Sequence, residues 1–177
     1  GAGLGVAAEP AANGSGTDHA IQLALSGPAR IHRRPDGKPE LGGADGRAVS
    51  AANSDTLSLA VTGRSIVGCD VEPVVARPSE QWCALLGGER TRLAELVASE
   101  AGESADTSRT RIWAAMECLK KAGLPLTTPL CLGNAKPDGW VLLSAGSMSV
   151  ATFVATTRHS NGPLAIAVLA GDAHAGV

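Results

Sequence analysis

In the segment Gly68-Cys69-Asp70-Val71-Glu72, two carboxylates stand two residues apart. On a strand, side chains two apart share a face, so Asp70 and Glu72 project together while Cys69 and Val71 turn the other way. Like charges on one face repel, and a hard divalent cation relieves the repulsion. Mg²⁺ in particular is usually held by one or two carboxylates, with substrate phosphates and water completing its shell. A bare D-x-E pair taken alone fits a solvent-exposed strand end better than a metal site.

A second group is Trp113, Glu117 and Lys121, spaced four apart. At 100° per residue they form a ridge beside the apolar stripe Ile112, Ala115, Met116, Leu119 and Ala122, so Glu117 and Lys121 can face a common cleft at the edge of the core. A third carboxylate would complete a metal site, and Lys121 could meet a phosphate one turn along. Taken alone, the pair is better read as an ordinary helix-surface ion pair, worth roughly 0.2–0.5 kcal/mol. The third group is the basic stretch Arg30, His32, Arg33 and Arg34, leading into the turn Asp36-Gly37-Lys38-Pro39. Fixed cations and free backbone N–H groups at a tight turn suit a phosphate, although a soluble loop has the same composition.

The order of these groups narrows the reading. Gly37-Lys38-Pro39, a strand ending in a short polar motif, G-x-D-x-E and then W-x-x-x-E-x-x-x-K resemble, in that sequence, the 4′-phosphopantetheinyl transferases of the surfactin-synthetase-activating type. The resemblance runs from about Arg33 to Lys121 and more loosely through the last strands. The G-C-D-V-E spelling favours this type over the small trimeric holo-acyl-carrier-protein synthases. The resemblance implies Mg²⁺-dependent transfer of phosphopantetheine from coenzyme A to a serine of an acyl carrier protein, releasing 3′,5′-ADP. It assigns Asp70, Glu72 and Glu117 as magnesium ligands, Lys121 to the coenzyme A pyrophosphate and Lys38 to the nucleotide. Asp70, Glu117 and Lys121 would form the catalytic group, with Glu117 the preferred base.

The sequence departs from the family pattern in places. Ala52-Asn53 stand where the family usually reads Ser-His, which reduces a phosphate contact to the neutral amide of Asn53. Met116 stands where a lysine usually precedes the helical glutamate. Arg33 and Arg34, with Arg30, are candidates for the 3′-phosphate. Two other readings stay open: a degenerate, non-catalytic module that binds coenzyme A or a carrier protein, and a carboxylate–metal phosphohydrolase.

The elements that would position these residues follow from pattern. Residues 1–17, rich in Ala, Gly, Pro and Asn, read as a flexible leader or linker. A short apolar segment covers residues 18–26. Strand signals fall at 47–51, 56–62 and 65–71, with Gly63-Arg64 joining the last two as a hairpin. Helical patterns fall at 80–86 and 90–99, and a third starts near Asp106 and stops at Gly123, before Pro125. Strands return at 140–144, 149–157 and 164–170. The fold class expected is α+β, with antiparallel sheets and helices. The resemblance adds two pseudo-twofold-related lobes, roughly 18–75 and 76–177, the first abbreviated.

Composition bounds the rest. A chain of 177 residues, 44% of them hydrophobic, can bury one sizeable core. A net charge of −2 argues against a dedicated nucleic-acid binder. Cys69, Cys83, Cys118 and Cys131 form no C-x-x-C pair and read as reduced thiols of a cytoplasmic protein. No apolar run approaches the ~18 residues of a membrane span. His19, His159 and His174 are isolated, Ser50 has no histidine near it, and Trp82 and Trp140 read as packing residues. Abundant Ala and Gly, Arg in excess of Lys and the missing initial Met suggest a piece of a larger protein from GC-rich DNA. That excised look suggests a domain of a polyketide synthase or similar enzyme acting on a carrier in cis, and by the resemblance a monomer would suffice.

Overall fold

The computed structural model describes residues 4–11, 16–42 and 46–171. The strand Leu57–Gly63 is buried at every position, which requires neighbours on both edges and both faces. It lies between β1 (Gly5–Pro10) and β4 (Ala48–Asn53), antiparallel to both, and is therefore β5 in chain order. Helix α1 (Gly16–Leu25) covers one face, burying Ala20, Ile21 and Ala24 against Ala60. β2 (Arg30–Arg33) and β3 (Pro39–Gly42) form a separate antiparallel hairpin beside β4.

The second sheet has the order β6-β10-β9-β8-β7, antiparallel throughout. It comprises β6 (Val67–Pro73), β7 (Cys131–Ala135), β8 (Val141–Ala145), β9 (Met148–Thr156) and β10 (Pro163–Ala170). Between β6 and β7 come α2 (Ser79–Ala101) and α3 (Ala105–Lys121). α3 packs on β6, β10 and β9, and α2 packs on α3. Trp82, Val97, Ile112 and Leu119 meet Leu143, Val150 and Leu169 in the main core. A second core joins the sheets, with Leu59 and Val61 of β5 against Cys69 and Val71 of β6. In both sheets the first strand in sequence pairs with the last, and the last with the one before it. The fold is thus mixed α+β, and no described helix is long and apolar enough to cross a membrane.

α3 is specified locally. Ser104 caps it by accepting a hydrogen bond from Thr107 N, Asp106 sits in the first turn and Lys120 and Lys121 in the last, matching the helix dipole. The cap is two residues earlier than expected, because the Asp106 carboxylate is engaged elsewhere, accepting from Trp82 Nε1 at 2.7 Å. The helices expected at 80–86 and 90–99 are both present as α2, broken at Gly87, whose φ of 74° suits glycine and interrupts the helix. Arg111, on the buried side of α3, is an unexpected tie. Its Nε donates to both Glu103 carboxylate oxygens at 2.9 Å, its Nη2 to Gly139 O at 3.0 Å and its Nη1 to Thr152 Oγ1 at 3.3 Å.

Several expectations need correction. Residues 5–10, read as leader, form β1, because Ala7 and its neighbours are small enough to pack under α1. The segment at 18–26 is helix α1, whose apolar residues recur at helical spacing. β5 and β6 are not a hairpin pair: both edges of β5 are already occupied, so the chain crosses to the other sheet and β6 pairs with β10. The chain accordingly passes from one sheet to the other between Gly63 and Val67. β7 was not expected from the sequence. His174 lies outside the described residues.

Candidate functional site

The site is built where α3 crosses β6. A Cβ on Gly68 would run into the carbonyl oxygen of Cys118 and crowd the Ala122 methyl at 3.2 Å, so the helix backbone rests directly on the strand there. That contact brings the end of α3 over the residues two and four positions further along the same strand face, Asp70 and Glu72. Gly68→Ala is therefore expected to lower stability by about 1–3 kcal/mol through overpacking, read from urea unfolding. An unchanged midpoint would mean that α3 does not lean on β6 at this point.

Asp70 is nearly enclosed, with 6% of its side chain exposed. Its Oδ1 receives Lys121 Nζ at 2.6 Å, while Oδ2 is buried and accepts no hydrogen bond from the described residues. Burial pushes the Asp70 carboxyl above the ordinary aspartate range, and the Lys121 charge and hydrogen bond only partly oppose it. Glu72 is raised too, first by burial and then by the Asp70 charge, while the Trp113 indole N–H, donating to Oε1 at 3.3 Å, pulls the other way. Glu117 carries a bond from Lys120 Nζ at 3.0 Å, and its charge contributes to the raised values of both Asp70 and Glu72.

All three carboxylates and Lys121 line one cavity of about 580 Å³. Its walls are the β4–β5 turn at Asn53–Thr56, the end of β6 with Val74 and Val75, and the β9–β10 turn from Ser160 to Leu164. A groove of about 880 Å³ runs from the same place along β4 to the β2–β3 hairpin, and in its lining Arg33, Arg34, Lys38, Arg47, Lys120 and Lys121 outnumber Asp36, Glu40 and Glu117. Asn53, Glu117 and Lys121 belong to both, so the acidic cavity opens directly into the cationic groove.

The sequence-expected residues divide by their present partners. Arg33 is ion-paired with Asp18 and donates to Gly37 O at 3.3 Å. Arg34 lies 3.4 Å from Asp36 and 3.6 Å from Glu40. The Lys38 backbone N–H donates to Asp36 Oδ1 at 3.2 Å, while its ammonium has no carboxylate partner among the described residues. Arg30 and His32 are outside the groove lining. Asn53 exchanges hydrogen bonds with the Thr17 hydroxyl at 2.8 and 3.0 Å. Met116 is 7% exposed and belongs to the main core. The methionine side chain therefore faces inward, into the core.

The remaining candidates are structural. Ser50 Oγ accepts from Cys69 N at 3.1 Å and ties β4 to β6. His19 pairs with Glu9 at 2.5 Å. Trp82 is wholly buried, whereas Trp140 is partly exposed and stacks at 5.0 Å on Phe153. Cys83 and Cys131 are exposed, and burial pushes the Cys69 thiol up to about 11, far from a reactive thiolate.

Two features of the site were not legible beforehand: the indole bond to Glu72 and the pairing of Lys121 with Asp70. The W-x-x-x-E-x-x-x-K spacing put both residues on the right ridge, but only the position of β6 reveals their partners. Among the described residues, no three His, Cys, Asp or Glu side chains are gathered into a metal-ligand group. What the site presents is a buried carboxylate with an unpartnered oxygen, two further carboxylates on the same cavity and an adjoining cationic groove. Neither a protein-family model nor a curated protein sequence matches the chain.

Proposed function

We propose that this chain is a Mg²⁺-dependent 4′-phosphopantetheinyl transferase that modifies a serine of an acyl carrier protein, carried on the same or another polypeptide of a cytoplasmic synthase. The observation that carries the reading is the junction at Lys121. A cavity lined by Asp70, Glu72 and Glu117 opens there into a groove lined by Lys38, Arg33 and Arg34. A substrate with a polyanionic end and a reacting phosphate would place the first along the groove and the second at the carboxylates. The shared strand plan of the two sheets supports a pair of pseudo-twofold-related lobes with coenzyme A between them.

The donor type suits a hard cation, since Mg²⁺ needs only one or two carboxylates beside phosphate and water, and Asp70 Oδ2 is buried without a partner among the described residues. Bound there, Mg²⁺ would neutralise charge on the coenzyme A pyrophosphate. Trp113 fixes the rotamer of Glu72, and β6 fixes Asp70. Lys121 balances charge on the leaving group, and Lys38 offers its ammonium to the nucleotide phosphates. Glu117 accepts the proton of the carrier serine. The serine oxygen then bonds to the β-phosphorus as its bond to the bridging oxygen breaks, and 3′,5′-ADP departs with that electron pair. Val74, Val75 and Leu164, which also line the cavity, give the pantetheine arm an apolar surface.

The deciding experiment is to incubate the protein with apo carrier protein, coenzyme A and Mg²⁺ and weigh the carrier. A gain of one phosphopantetheine is expected. An unmodified carrier with coenzyme A still bound would support a non-catalytic module instead, and phosphate release without carrier would support a phosphohydrolase.

Asn53 gives a finer test. If the amide supplies a weaker phosphate contact than the imidazole of the family pattern, Asn53→His should lower the Michaelis constant for coenzyme A several-fold. The Thr17 hydroxyl now bonded to Asn53 would have to turn away. Steady-state transfer across a coenzyme A titration checks this, and an unchanged constant would remove position 53 from the cofactor contacts.

A further inference from the structure

Lys121 is shared between two places that both want a cation. Its ammonium rests on Asp70 Oδ1 at 2.6 Å, yet the side chain lines the cationic groove as well as the acidic cavity. It is the last residue of α3, with 30% of the side chain exposed, so its four methylenes can swing without disturbing the core. Asp70 is fixed on β6 and nearly enclosed. Lys120, the neighbouring cation, is committed to Glu117. Lys121 is therefore the sole ion-pair partner of Asp70 among the described residues.

We infer that Lys121 is an exchangeable counter-ion: it holds the place of a divalent cation at Asp70 and, when that cation enters, is displaced into the groove, where it meets the substrate's phosphates. The inference rests on the reading of the cleft as a magnesium and coenzyme A site. The physical ground is that an enclosed carboxylate charge is costly unless a cation lies against it. A divalent ion brings more charge and can use Oδ2, which the ammonium leaves unpartnered. The displaced ammonium needs an anion in turn, and the groove offers a bound one. Cation and coenzyme A thus help each other bind, and linkage makes the coupling reciprocal.

The exchange makes the contribution of Lys121 to coenzyme A affinity conditional. Without a divalent cation, Lys121→Met and wild type should bind coenzyme A alike by calorimetry, because the wild-type ammonium is occupied at Asp70. With saturating Mg²⁺, wild type should bind about tenfold tighter than the variant. Mn²⁺ alone, followed by electron paramagnetic resonance, should bind about tenfold tighter to Lys121→Met than to wild type, with Lys120→Met changing far less. Equal loss of coenzyme A affinity with and without cation would mean that Lys121 already lies on the phosphates, and would overturn the exchange.

Should Lys121→Met fail to fold, Lys121→Gln retains a donor for Asp70 and serves in the same titrations. Wild type alone gives an independent readout. With ¹⁵N-labelled lysine, the protected ammonium signal of Lys121 should be lost when Mg²⁺ is added, and its persistence at saturation would equally overturn the exchange. All of these are binding measurements. A protein that transfers phosphopantetheine but shows a cation-independent Lys121 loses only the exchange. One that shows the exchange but modifies no carrier loses only the transferase reading.

Discussion

Asp70→Asn is expected to reduce carrier modification on the order of 10²–10³-fold or more in kcat, while leaving the fold in cation-free buffer as stable as wild type or more so. The loss follows from geometry. Asp70 is the most enclosed carboxylate of the cavity, lies on the rigid strand β6 and carries the buried oxygen that lacks a partner. An amide keeps the shape but removes the charge that holds either a divalent cation or Lys121.

The stability half of the expectation follows from the direction of the Asp70 shift. Burial raises the folded-state pKa above the unfolded value, so folding favours the protonated form. The contribution of Asp70 to stability is fully present below the ordinary aspartate range and is lost as pH rises through the folded value. Above that value the ionised group is a burden on the fold, retained for what it binds, and the amide relieves it. Thermal melts of both proteins from mildly acidic to neutral pH would check this. The difference should grow in favour of the Asp70→Asn variant as pH rises, and Mg²⁺ should raise the melting temperature of wild type alone. A variant that transfers at the wild-type rate would remove Asp70 from the mechanism, whatever its stability.

The ease with which this site could be read in the sequence was uneven, and the reasons are physical. Asp70, Glu72, Glu117 and Lys121 were legible because each pair is local: a two-residue period fixes a strand face and a four-residue period a helix ridge. The glycine of G-C-D-V-E has an equally concrete meaning, since only an absent side chain lets α3 lie on β6. What failed was non-local. Gly63-Arg64 is a sound turn signal, but nothing near it reveals that residues 5–10 take the free edge of β5 and force β6 into the other sheet. Small residues hid β1 behind a linker-like composition. The burial of Met116 is likewise non-local, since it depends on the sheet against which α3 packs. The partners of Arg33 and Arg34, namely Asp18, Asp36 and Glu40, were visible as residues but not as neighbours.

Arg111 is the extreme case of that blindness, and its replacement should have the largest effect on the fold. In the sequence it is one more charge in a polar-looking helix start, yet its side chain is 4% exposed and holds three elements together. Its guanidinium joins Glu103, ahead of α3, to the carbonyl of Gly139 before β8 and to the hydroxyl of Thr152 on β9. Arg111→Met keeps much of the aliphatic volume but strands the Glu103 carboxylate, 14% exposed, and removes the donor to Gly139. Breaking a buried pair from one side costs about 3–5 kcal/mol. For a chain of this length that is a fall of roughly 6–20 °C in melting temperature. Adding Glu103→Leu should recover part of the loss, because the uncompensated charge then disappears while the bonds to Gly139 and Thr152 stay broken. Calorimetry on the single and double variants measures both. A single variant melting within about 2 °C of wild type, less than 1 kcal/mol would produce, would mean that the main core holds α3 to its sheet without this tie.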